Sequence, residues 1–208
     1  MTALTMACAE RQDLVDLLGQ LTPEQWDRPS LCTGWRVRDV VAHMIGYDEL
    51  TGAETIREFA RGGFFPPRVN AALLARQAGR GTDELRDALA AHVVPRGLTT
   101  GFGGLIALAD GMIHHQDIRR PLGLPRDIPA DRLTAVLDFA RYAPLLRGVW
   151  RARGVRLVAT DLDWSFGRGP QAVGSGEALL MVMVGRPCAI ADLTGPGVPR
   201  LRRNLGVG

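Results

Sequence analysis

The segment Gly104–Gly123, GLIALADGMIHHQDIRRPLG, constrains the fold more than any other stretch. It has the apolar content of a buried helix, yet it carries a carboxylate and an imidazole at Asp110 and His114. At about 100° per residue, a spacing of four puts these two roughly 40° apart on one face, one turn apart along the axis. The same face continues to Asp117, and Pro121 is expected to stop the helix. Burying such groups without a partner carries a large desolvation cost. A divalent cation is one such partner. Taken alone, an Asp-x-x-x-His pair is more often an i,i+4 hydrogen bond or ion pair, so a metal centre needs a third ligand from elsewhere in the chain.

His43 supplies a candidate. It lies within the apolar stripe Val37, Val40, Val41, Met44 and Tyr47 of a long helix expected to run from Val37 to the glycine pair Gly62–Gly63. A histidine in that stripe faces the core. Asp39, four residues earlier, has two readings: the partner of a core histidine, or a carboxylate that orients a metal-ligating one. His43, Asp110 and His114 together form a two-imidazole, one-carboxylate set from facing helices, which leaves coordination positions open for water or substrate. His115, about 100° further round the helix, is expected to pack or to support the site from behind. His92 is given no catalytic role.

Around this core the chain reads as mainly α with a small α+β tail. Helices are expected over Ala3–Leu18, from Pro23 behind a Thr22 cap, after the Phe64-Phe65-Pro66-Pro67 turn, from Thr82 to before Pro95, and from Pro129 with the stripe Leu133, Val136, Leu137 and Ala140. Phe64 and Phe65 are expected to plug the bundle or line a pocket mouth, and RGLTTGFGG to be a flexible loop. Three short strands follow in VRLVAT, LDWSF and GRGPQAVGSG, then the apolar helix EALLMVMVGR and a last turn or strand in TGPGVPRL. The expected organisation is a helical domain over 1–153 and an α+β domain over 154–208.

Composition narrows the function. All 25 basic residues are arginines, so a lysine Schiff base is excluded. A net charge of +3 spread along 208 residues is no nucleic-acid footprint; the clusters Arg147–Arg156 and Arg200–Arg203 read as solvated surface. No apolar run reaches the ~20 residues of a membrane span. The first residues lack a basic leader before an apolar core, so a cytoplasmic location is expected. Cys8, Cys32 and Cys188 form no disulfide framework, and each reads as a small residue at least half buried.

GWRVRDVVAHM, followed much later by ADGMIHHQDIRRPLG, resembles the DinB-like superfamily, and more closely its actinobacterial branch, the mycothiol-dependent maleylpyruvate isomerase family. The tail GVRLVATDLDWSFGRGP with GEALLMVMVGRPCAIADLTGPGV is similar to the small C-terminal domain of that branch. The resemblance implies a four-helix bundle holding a divalent metal, usually zinc, with Ni2+, Fe2+ or Mn2+ as alternatives. The family's first-helix histidine falls on His43 and its Glu-x-x-x-His pair on Asp110 and His114, the acid here being one methylene shorter. The usual Thr or Ser before the His43 helix is Arg36, so a capping box with Asp39 is expected to be lost. The resemblance also implies mycothiol as co-substrate and a small electrophilic acid as substrate. The isomerase reaction is reversible thiol addition to a cis alkene, rotation, and elimination. Asp117 and Asp39 are the candidates to orient the histidines. Arg119 and Arg120 are candidates for cofactor binding, and Arg200 and Arg202 for a catalytic carboxylate clamp. A homodimer is compatible with this reading. The alternative is a metal-binding regulatory or structural bundle without turnover.

Overall fold

The computed structural model describes residues Met1–Val207. Its first compact unit runs from Met1 to Pro125 and its second begins at Arg126. The first unit contains α1 (Ala3–Leu18), the short α2 (Pro23–Trp26), α3 (Val37–Asp48), α4 (Gly52–Arg61), α5 (Pro66–Gln77), α6 (Thr82–Ala91) and α7 (Leu105–Leu122). α1, α3, α6 and α7 form the bundle: α1 packs on α6 and α7, and α3 packs on the same two helices. Its core is built from Leu14 and Leu18 of α1, Val40, Val41 and Met44 of α3, Leu85 and Leu89 of α6 and Ile118 of α7. α5 adds Leu73 and Val69 against Leu50 at the far end of α3.

Local signals set most of these ends. Thr2 caps α1, and Thr22 with Gln25 closes a capping box on α2. The expected single helix from Val37 to Gly62 is two helices. Thr51 accepts from the Glu54 N–H while the Glu54 carboxylate accepts from the Thr51 N–H, so a new helix starts there and the chain turns at Glu49–Leu50. The glycine-rich stretch Gly97–Gly104 is a pair of 3-10 turns rather than a featureless loop. A Cβ on Gly104, at φ 99°, would lie 2.7 Å from the Leu4 Cα, so α1 seats there only against glycine. Pro121 lies in the last turn of α7, and Gly123 in the left-handed conformation ends the helix. Phe64 and Phe65 are exposed, at 72% and 54%, and plug nothing in their unit; the core position between α4 and α5 is taken by Val69.

Two buried polar sets join the bundle helices. Arg11 of α1 and Asp48 of α3 form an ion pair at 2.6 Å with both side chains fully buried. Thr99 donates to Asp48 at 2.6 Å, and Arg11 donates to the His92 carbonyl at 2.7 Å. One turn away, Arg119 Nε donates to His115 Nε2 at 2.8 Å, which leaves the ring proton on Nδ1 to bond Glu10 of α1 at 3.1 Å.

The second unit holds α8 (Ala130–Tyr142), α9 (Gly148–Arg151), a three-stranded sheet, α10 (Gly176–Met183) and α11 (Val198–Leu205). The strands β1 (Arg156–Ala159), β2 (Ser165–Gly167) and β3 (Gln171–Gly174) lie in the order β2-β1-β3. β1 runs antiparallel to β2 and parallel to β3. The compact units divide after Pro125 rather than after Arg153, because the apolar stripe of α8 faces α10: Leu133 and Leu137 lie against Gly176. Trp164 adds a hydrogen bond to Asp138 of α8 at 2.9 Å. The segment expected as a last turn or strand bridges Val173 through Thr194, turns at Gly195–Gly197, and then enters α11, with Pro199 in its first turn, rather than continuing as a strand. No helix among the described residues is long and apolar enough to cross a membrane.

Asp48→Ala leaves the Arg11 guanidinium buried without its carboxylate. Urea unfolding should show a loss of about 3–5 kcal/mol. A loss below about 1 kcal/mol would mean that the pair does not hold α1 to α3.

Candidate metal centre

The helical phase of α7 decides what its polar groups meet. Its 3.6-residue period turns Asp110, His114 and Asp117 toward one side and His115 toward α1. On the first side α3 crosses, and its inward stripe presents His43. The ligand atoms of His43, Asp110 and His114 lie within 4.8 Å of one another. Asp110 Oδ1 is 3.8 Å from His43 Nε2 and 3.5 Å from His114 Nε2. The two imidazoles meet edge to face with centroids 5.0 Å apart. Both histidines are largely buried, while a quarter of the Asp110 side chain is exposed, so the cluster opens on the Asp110 side.

His114 is held from behind. Its Nδ1 lies 3.0 Å from Oδ2 of Asp117, a fully buried carboxylate. The Cys32 thiol donates to the same oxygen at 3.1 Å, and the Leu31 N–H donates to the Asp117 carbonyl at 3.0 Å. With Nδ1 turned to Asp117, Nε2 is the nitrogen that faces Asp110 and His43, and a metal ion would take the place of its proton there. Cys32, His114 and Asp117 are themselves close enough to count as a second donor set. The hydrogen bonds among them already engage the thiol, the carboxylate and Nδ1, which leaves the set that uses His114 Nε2 as the candidate centre.

Electrostatics favour positive charge in the cluster. Burial on its own would raise the Asp110 pKa, but the facing His114, His43 and more distant Arg11 outweigh it and hold it at about 2. Burial on its own would lower the pKa of His114; Asp110, Asp117 and Cys32 together put it well above the ordinary imidazole value. Tyr47, edge-on to His43 at 5.5 Å, donates to Asn70 at 2.7 Å, and burial with the nearby Asp110 charge pushes its phenol up to about 12. Trp35 closes the other side of the His43 ring, 5.0 Å away.

The donor set fits a divalent ion. Bonds of about 2.0–2.2 Å to nitrogen and carboxylate oxygen place the ligands of one ion roughly 3–4 Å apart, close to the separations found here. Two imidazoles and a carboxylate suit zinc and its first-row neighbours.

Other residues singled out from sequence are not among these donors. Asp39 does not orient His43. It accepts from the Arg36 N–H at 2.8 Å and pairs with the Arg36 guanidinium at 3.1 Å, so half of the expected lost capping box survives on the acid side. His43 Nδ1 is buried with no hydrogen-bond partner. Arg119 donates to His115 Nε2 and to the Leu124 carbonyl, which makes it a brace of the α7 C-terminus. Arg120 is half-buried in the last turn, its carbonyl accepting from the Gly123 N–H. Arg200 and Arg202 are exposed on α11 in the second unit. Sequence reasoning missed the Cys32–Asp117 contact, Trp35 and the Tyr47–Asn70 pair. Tyr47 had a readable signal, one turn after His43 on the same stripe.

Comparison with known proteins agrees with this architecture. Two crystal structures of mycothiol-dependent maleylpyruvate isomerase, one of a histidine-to-alanine mutant, superpose with TM-scores of 0.64 and 0.62. Each is 16% identical, over 93% of this chain and 91% of the other. No curated protein matches. The model of the mycothiol maleylpyruvate isomerase N-terminal domain matches residues 7–119, which is more than half of the chain and takes in His43, Asp110 and His114. The chain belongs to the mycothiol maleylpyruvate isomerase N-terminal domain family.

Proposed function

We propose that this protein is a divalent-metal-dependent enzyme that uses a low-molecular-weight thiol, mycothiol, to isomerise or S-alkylate with small electrophilic acids. The observation that carries this reading is the convergence of His43, Asp110 and His114 with the second nitrogen of His114 held by Asp117. His43 Nε2, Asp110 and His114 Nε2 would hold the ion, most naturally Zn2+. A divalent cation there supplies a Lewis acid that favours a thiol as thiolate near neutral pH.

The chain's own residues do the rest. Asp117 keeps the His114 proton on Nδ1 and the ring fixed in angle. Cys32 and Leu31 hold Asp117 in turn. Trp35 and Tyr47 pack about the His43 ring and exclude water from it. The partly exposed Asp110 edge is where thiol and substrate approach. In the isomerase reaction the thiol sulfur bonds to one alkene carbon and a proton to the other. The carbon–carbon single bond rotates, and loss of the same thiol and a proton restores the alkene in trans form. In S-transfer the adduct leaves without elimination.

Elemental analysis of purified protein should find one divalent metal per chain. His114→Ala should lose most of it. Asp117→Asn, which keeps shape but not the acceptor charge, should weaken metal affinity about 10–100-fold. His115→Ala should keep the metal and lower stability instead, since Glu10 is left buried beside a cavity. Turnover of a cis-alkene acid should require both metal and mycothiol. Unchanged metal in His114→Ala, or turnover without thiol, would sink the reading.

A further inference from the structure

The His114 ring stands between two donor sets. Its Nε2 faces Asp110 and His43, and its Nδ1 faces Asp117 and Cys32. On the Nδ1 side, Cys32 Sγ lies 3.1 Å from Asp117 Oδ2 and 3.7 Å from Nδ1, and Nδ1 lies 3.0 Å from the same oxygen. A tetrahedral ion bonded at about 2.3 Å to sulfur and about 2.0–2.2 Å to nitrogen and oxygen would hold such donors roughly 3.3–3.6 Å apart. All three separations come within about half an ångström of that range. The thiol is also held in place. Ser30 Oγ accepts from the Cys32 N–H at 3.1 Å and donates to the Trp35 carbonyl at 2.9 Å, while the neighbouring Leu31 N–H is fixed on Asp117.

The two sets differ in chemistry. The Nε2 side offers two imidazoles and one carboxylate, which suit borderline ions. The Nδ1 side offers sulfur, which favours soft ions. Its thiolate and carboxylate together also cancel a divalent charge, whereas the Nε2 side has one anionic donor. In a buried place that balance matters.

We infer that Cys32, His114 Nδ1 and Asp117 form a second site, for a soft divalent cation such as Cd2+, whose filling empties the first centre; the exclusion rests on the metal-dependent reading above. A neutral imidazole has one ring lone pair to give, so it serves one ion at a time. Starting from the zinc form, the soft ion bonds to sulfur, Nδ1 and the carboxylate, and zinc leaves. The thiol proton goes to solvent, and the ring proton passes from Nδ1 to Nε2. Nε2–H then faces Asp110 Oδ1, 3.5 Å away, and the first centre keeps only His43 and Asp110. A soft metal thus disables the centre from behind, without touching the side on which it opens.

The test uses the full chain with Cys8→Ser and Cys188→Ser, so that Cys32 is the one thiol left, loaded with one equivalent of Zn2+. Added Cd2+ should raise an ultraviolet thiolate-to-cadmium band that saturates at one equivalent, with one zinc released per cadmium bound. Adding Cys32→Ser, which keeps a hydroxyl to donate to Asp117, should retain zinc, abolish the band and raise the cadmium needed for zinc release at least tenfold. Asp110→Asn, which alters the first set alone, should lose zinc and keep the band. Absence of the band in the protein with Cys32 alone, a band formed while zinc stays bound, or unchanged zinc release in Cys32→Ser would overturn the inference. A parent protein that takes up no zinc yet forms the band would overturn the enzymatic reading, and the exclusion with it, and leave the sulfur-side site standing.

Discussion

The structure depends on α7 finding partners for charged and polar groups on two of its faces at once. Toward α1, His115 is caught between Glu10 and Arg119. Toward α3, Asp110 and His114 meet His43. Apolar packing through Leu108, Met112 and Ile118 makes α7 a core helix, and the polar groups place a further demand on its rotation. A slip of one residue turns the helix by about 100°; in one sense it would put His114 against α1, and in the other His115 toward α3. Each misplacement would strand a buried charge, at a cost of several kcal/mol. Polar pairing thus sets the phase of the helix, and the phase sets the site. The adjacent histidines, chemically identical in sequence, take opposite roles because only one of them looks across to α3.

The same economy appears in the segment between α2 and α3. Its Leu31 N–H and Cys32 thiol both close on Asp117, and a few residues on, Trp35 packs on His43 and Arg36 begins α3. One buried aspartate, through its carboxylate and its main-chain carbonyl, therefore does two things. It fixes the tautomer of His114, and it moors the loop from which the helix bearing His43 departs. Donors from two helices distant in sequence are held at matched positions by a third element pinned to one of them, which is the kind of support a precise site requires.

Much of this was legible in the residues. The bounds of α1, the start of α3 and the three strands follow from caps and periodicity, which are local. So does the donor triad, since helical spacing joins Asp110 to His114 and a core-facing stripe carries His43. What escaped depends on tertiary path or on a signal masked by its surroundings. The Thr51–Glu54 box was present in the letters, but the amphipathic run on either side of it reads as continuous helix. The C-terminal VPRLRRNL was obscured by flanking glycines and prolines, although a proline in the first turn is itself a helix-start signal. Asp39 stands at i−4 from His43, a spacing that suggests contact, yet its own position in the first turn lets it cap the N-terminus instead, and the nearer bond wins. Arg119 was unreadable for a different reason: its partner, His115, became an acceptor only because Glu10 on another helix takes the opposite ring nitrogen.

The shorter acid at position 110 shows how fold and site share charge. An aspartate reaches one methylene less far than a glutamate, yet Oδ1 still lies within 4 Å of both Nε2 atoms, so the helices must sit close enough to make up the difference. The shorter side chain has one fewer torsion to freeze, which favours a fixed donor. Arg11, whose main task is the ion pair with Asp48 that joins α1 to α3, also lies near enough to Asp110 to help keep it ionised. The cation that stabilises the bundle therefore adds a small share, behind His114 and His43, to the ionisation of the carboxylate in the site. The two act with opposite sign, since Arg11 repels any divalent ion that Asp110 attracts. At long range the repulsion is small beside direct ligation, so the buried pair stabilises the fold at little cost to the site.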